Sequence, residues 1–84
     1  MGRGNTAYAL KDLATAESAF QQATRDHPDS AAAFNNLAQT FADRGKLDDA
    51  LAAAQHAVGL GGPLLAASQA TLEEIREKLE ATPR

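Results

Sequence analysis

Residues able to do chemistry are few in this 84-residue chain and poorly matched. His27 and His56 are the side chains whose ordinary pKa lies near neutrality, and no carboxylate stands at a spacing that would share a metal ion with either. Asp48 and Asp49 are adjacent, so on a helix they diverge instead of forming an acid–base pair. Ser18, Ser30 and Ser68 have no partnered base to activate them. The stretch GLGGP, residues 59 to 63, is glycine-rich like a phosphate loop but lacks the following Lys-Ser/Thr and runs into proline. A helix break is the simpler reading. No thiol chemistry is open to a chain without cysteine. These residues predict a protein that is not an enzyme and that has no cofactor and no metal site.

Amides offer a different chemistry. The stretch AFNNLAQTF, residues 33 to 41, sets Ala33, Leu37, Ala38 and Phe41 at helical spacing, with Asn35 and Asn36 in between. Asparagine is a poor helix former because its side chain competes for backbone hydrogen bonds. An amide also presents donors and an acceptor together, which is what a peptide group needs from a receptor. Asn35 is expected to face water or to bond the next helix.

The elements that must hold these residues are helices. The composition is rich in alanine and leucine and only 5% aromatic, which favours closely packed helices over a wide core. The net charge is −3, and the 8 basic residues form no stripe, so nucleic acid is excluded as a partner. No apolar run reaches membrane-spanning length and no signal peptide is visible, so no membrane partner is expected and the compartment stays open. The opening MGRGN reads either as an expression scar or as the edge of a domain within a longer protein.

An internal repeat organises the chain. Residues 13 to 28, LATAESAFQQATRDHP, match residues 47 to 62, LDDALAAAQHAVGLGG, at an offset of 34 without a gap. Leu13 falls on Leu47, Ala16 on Ala50, Ala19 on Ala53, Gln21 on Gln55 and Ala23 on Ala57. One segment earlier, Asn5 falls on Gln39 and Ala7 on Phe41. Five helices are predicted, over about 4–10, 13–26, 31–44, 47–58 and 63–80, with a turn at Lys11 and Asp12. Pro28 stops the second, Asp29 or Ser30 caps the third, Gly45 ends it, and Pro63 opens the fifth. The fifth helix carries Leu65, Leu72, Ile75 and Leu79 on one side and charged residues elsewhere, as a lid would. Ala16, Ala23, Ala50 and Ala57 are expected where helices cross closely, and Phe20, Phe34 and Phe41 in the wider gaps.

A 34-residue helix–turn–helix unit of this kind resembles the tetratricopeptide repeat. The second unit supplies Phe34, Leu37, Ala38 and Phe41, then Ala50, Ala54 and Ala57; the first supplies Gly4, then Ala16, Phe20, Ala23 and Pro28. Ala7 stands where the family has tyrosine, Ala54 where it has an aromatic, and Pro63 comes one residue late. The resemblance implies an all-α, right-handed α-α superhelix of antiparallel helix pairs. It divides the chain into a first repeat over about 1–30, shortened at its start, a second over about 31–62, and a capping helix over about 63–80. In the family the first helix of each pair lines a concave groove that holds an extended peptide. Asn5, Asn36 and Gln39 are thereby implied to bond a partner's backbone, with Asp43 and Arg44 at the groove edge tuning its charge preference. A clamp for a terminal carboxylate is not implied, because Ala66, Ala70 and Met1 stand where the family's cations would. The expected role is an interaction module for a protein or peptide partner. Self-association through the open end of the stack, as a homodimer, and service as an accessory domain of a larger bacterial enzyme are the alternatives.

Overall fold

The structure is a computed structural model that describes the backbone of residues 2–81 and the side chains of residues 12–81. It is all-α. Four helices follow in order: α1 (Gly2–Asp26), α2 (Ala31–Asp43), α3 (Leu47–Leu60) and α4 (Leu65–Ala81), with a single 3-10 turn over Gly62–Leu64 before the last.

Local chemistry explains the boundaries. Pro28 follows the end of α1, and Ser30 caps α2 by accepting a hydrogen bond from the Ala33 N–H at 3.2 Å. At the far end of α2, Gly45 adopts φ +80°, so its N–H reaches the Ala42 carbonyl at 3.0 Å and the Lys46 N–H reaches the Phe41 carbonyl at 2.8 Å. This is the Schellman closure, and it turns the chain sharply into α3. Asp48 and Asp49 then sit in the first turn of α3, where the helix dipole favours negative charge. Gly61 and Gly62, at φ +68° and +77°, make the second sharp turn, and Pro63 sits in the 3-10 turn that follows.

One expectation is overturned. No turn forms at Lys11 and Asp12: the first two expected helices are one continuous helix, α1. The physical reason lies in the repeat register, where Lys11 occupies the position that Gly45 holds one unit later. A left-handed residue there is cheap for glycine and costs an L side chain about 1–2 kcal/mol. Nothing else between residues 10 and 13 interrupts a helix.

The core lies between α2 and α3. Ala38, Ala50 and Ala54 are at 0% exposure, and Leu37, Phe41, Ala53 and Ile75 complete the cluster, with Phe20 packed against it from α1. Ala50 and Ala57 are therefore the close-crossing residues expected of them, at 0% each. Ala16 and Ala23 are only half-buried, a second correction that follows from the first. Among the described residues α1 packs on α2 alone. On the other side, α4 covers α2 and α3 through Ser68, Thr71 and Ile75.

Glycines 45 and 59 should respond with opposite signs. Gly45→Ala places a Cβ in open space but at φ +80°, and should cost about 1 kcal/mol. Gly59→Ala, inside α3 and also in open space, should gain about 0.5 kcal/mol from helix propensity. Urea unfolding of the two variants beside wild type measures both.

Candidate peptide-binding groove

Along α2, Asn35, Gln39 and Ala42 share one face by helical spacing, and Gln39 and Ala42 border α4, while Asn36 and Asp43 lie on the adjoining flank. Gln39 is the joint between the two helices. Its Nε2 donates to Thr71 Oγ1 at 3.4 Å, and the Thr71 hydroxyl donates in turn to the Ala67 carbonyl at 3.1 Å, one turn back in α4. Thr71 is thus both buried and satisfied, while Gln39 is exposed and keeps a second N–H and a carbonyl oxygen to offer.

Around this joint the surface is concave. A depression of about 180 Å³ is lined by Gln39, Ala42 and Asp43 of α2 and by Thr71, Glu74, Ile75 and Lys78 of α4. A shallower one of about 590 Å³ shares Gln39, Thr71 and Glu74 and continues over Ala67, Ala70, Glu73 and Glu77. Together they form one trough with a small apolar floor, Ala42 and Ile75, and a rim in which four carboxylates, Asp43, Glu73, Glu74 and Glu77, face one ammonium, Lys78.

The residues expected at the groove are distributed as follows. Gln39 and Asp43 line the trough. Asn36 is exposed on the flank one turn before Gln39 and lies outside the lining; its main-chain carbonyl accepts the Thr40 hydroxyl at 2.9 Å. The Asn5 side chain lies outside the described residues. Asn35 is neither exposed nor bonded to a neighbouring helix: it is 8% exposed, and its Oδ1 has no hydrogen-bond partner. Arg44 also departs from expectation. It turns away from the trough toward α1, where its Nη1 donates to Glu17 Oε1 at 2.9 Å.

That contact is half of a clasp. Lys46 Nζ donates to the other oxygen, Glu17 Oε2, at 3.1 Å, and also stands 5.9 Å over the Phe41 ring. One carboxylate on α1 therefore holds the two cations that flank the Gly45 turn. The hydrogen bond from Lys46, reinforced by the one from Arg44 and by both positive charges, outweighs partial burial and keeps the Glu17 carboxyl below its ordinary value of 4.5. His27 and His56 are exposed as expected, with the His56 ring 3.9 Å from that of Phe34. Among the described residues no group of His, Cys, Asp or Glu is arranged to hold a metal ion.

The acidic wall on α4 is what the sequence reading missed, and the signal was present. Advancing Asn36, Gln39 and Asp43 by one repeat of 34 residues gives Ala70, Glu73 and Glu77, and all three line the trough. By position α4 is another first helix of the array as well as a lid. Paired helices at a 34-residue period, tight turns between them and a trough along the first-helix positions define a helical repeat of the interaction type. The chain belongs to the tetratricopeptide repeat family, whose family model, described as Tetratricopeptide repeat, matches residues 1–64. Comparison with curated proteins and with solved structures gives no match. Repeats of this family are in general non-catalytic protein–protein interaction modules. No helix among the described residues is long and apolar enough to cross a membrane.

Two variants test these contacts. A carboxyl whose folded pKa is depressed adds stability above its unfolded pKa and loses it as pH falls through the folded value. The thermal midpoint of wild type should therefore exceed that of Glu17→Gln by a constant margin at neutral pH, and the margin should shrink as pH falls below about 4.5. Asn35→Leu removes a buried, unpartnered acceptor at similar volume. It should raise stability by about 1 kcal/mol in urea unfolding.

Proposed function

We propose that the trough between α2 and α4 holds an extended segment of a partner protein. Gln39 bonds its backbone, Asn36 and Asn5 extend the amide strip on either repeat, and the carboxylates of Asp43, Glu73, Glu74 and Glu77 select for Lys or Arg side chains. The observation that carries this reading is the coincidence of register and shape: two repeat positions, Gln39 with Glu73 and Asp43 with Glu77, border a single trough from two successive first helices. An amide can donate to and accept from one peptide group, so a strip of amides suits an extended backbone in any sequence. The rim supplies the selectivity, since a long cationic side chain can lay its stem on Ala42 and Ile75 and its head among the carboxylates. A partner of opposite character, with a free terminal carboxylate as anchor, is disfavoured by the same rim.

Binding should be weakened by groove changes and spared by changes on the convex side. Asn36→Ala combined with Gln39→Ala removes about two hydrogen bonds and should cost about tenfold in Kd for a captured partner. Glu74→Lys combined with Glu77→Lys should abolish retention, and wild-type binding should weaken steadily with added salt. Gln55→Ala, on the exposed face of α3, is the control. Capture experiments with these four proteins, matched for helicity by circular dichroism, decide the matter. Equal retention by all four would remove the contact from the trough.

A further inference from the structure

Burial divides the helices unequally. Helix α2 buries Leu37, Ala38 and Phe41, α3 buries Ala50, Ala53, Ala54 and Ala57, and α4 buries Ile75 together with Ser68 and Thr71. Among the described side chains of α1, residues 12–26, Glu17 alone is buried, and it is a carboxylate. Leu13, Ala16, Phe20 and Ala23 on the same stretch are half-buried, and of these Phe20 packs against the core cluster. Both oxygens of Glu17 are taken, by Arg44 Nη1 at 2.9 Å and by Lys46 Nζ at 3.1 Å. At its far end α1 passes into α2 through His27, Pro28, Asp29 and Ser30, none of which is buried.

We propose that Glu17 is the latch of a detachable strap: residues 12–26 leave the body as a unit when this carboxylate lets go of Arg44 and Lys46, while α2, α3 and α4 stay folded. Burial of apolar surface is what makes a helix inseparable from its neighbours, and this stretch has little of it. A lone helix of this length is marginal in water, so the strap unravels once it has undocked. The cations can let go because their side chains are 32% and 42% exposed, which allows water to take the place of the carboxylate. The body keeps its own closures. The turn from α2 into α3 is held by main-chain bonds from Gly45 to Ala42 and from Lys46 to Phe41, and neither needs Glu17. No described residue of α1 lines either depression of the trough. Release therefore bares Phe20 and the α2 surface beneath it and leaves the wall of α2 and α4 standing.

Hydrogen exchange of the whole chain, read amide by amide by NMR, is the test. In wild type the amides of residues 16–26 should exchange faster than the slowest amides of α2 and α3, because they open without global unfolding. Ile75→Val loosens the body from α4, which makes no contact with α1 among the described residues. It should speed the slowest α2 and α3 amides by about fivefold and leave residues 16–26 at the wild-type rate, since the strap opens on a body that stays folded. Glu17→Gln keeps the shape and helix propensity but turns one acceptor into a donor facing the cations. It should speed residues 16–26 by about tenfold. In a background of Arg44→Gln with Lys46→Gln the same change should have almost no effect, because the latch is already open. Residues 16–26 that are as slow as α2 and α3, or that respond to Ile75→Val as those do, overturn the proposal. So does a Glu17→Gln effect that is absent in wild type or that persists undiminished without the two cations.

Discussion

The approach of α2 to α3 is the constraint on which everything else rests. It is made by alanines: Ala38 on one helix and Ala50, Ala54 and Ala57 on the other, all without exposed surface. Side chains this small contribute little apolar area each, at about 25 cal/mol per Å². Their value is that they lose almost no side-chain entropy and let backbones come close enough for Leu37, Phe41 and Ile75 to seal the edges. A pair built this way has no apolar surplus, which is why both neighbours, α1 and α4, are drawn onto α2.

Polar groups then decide how the outer helices are held, and the two sides differ. On the α1 side, Glu17 joins Arg44 and Lys46 in short charge-assisted bonds around the one turn that glycine makes possible. On the α4 side Gln39 donates a neutral bond of 3.4 Å to Thr71, and the Ser68 hydroxyl, nearby in the sequence of α4, is fully buried and without a partner among the described residues. A buried polar atom without a partner carries a desolvation cost of about 1–3 kcal/mol.

Much of this was legible in the residues. Ser30, Gly45, the glycines at 61 and 62 and the 34-residue offset fix the helices from residue 31 onward nearly to the residue, because caps and positive-φ turns demand particular side chains. The family resemblance pointed to Gln39 and Asp43, and both line the trough between α2 and α4. The failure at Lys11 came from carrying a turn across by analogy where the residue that permits it was absent. Asn35 and Arg44 were misread for another reason. Their surroundings are set by helices distant in sequence, and no local pattern distinguishes a buried amide from an exposed one, or an arginine at a groove from one drawn to Glu17. The α4 wall was hidden because its charged residues look like a solvated surface until the repeat is extended past the last turn.

That extension of register, from Asn5 to Gln39 to Glu73, gives the array the character of a ruler. The alanine positions that weld one helix pair are interleaved with, but never the same as, the positions that border the trough. Copying a block of 34 residues would lengthen the trough by one graduation and reproduce the weld without redesign. Substituting a graduation mark would alter what is measured there and leave the weld untouched. Reach and selectivity are thus written in separate letters of the same repeating word, and each is free to drift while the other is kept.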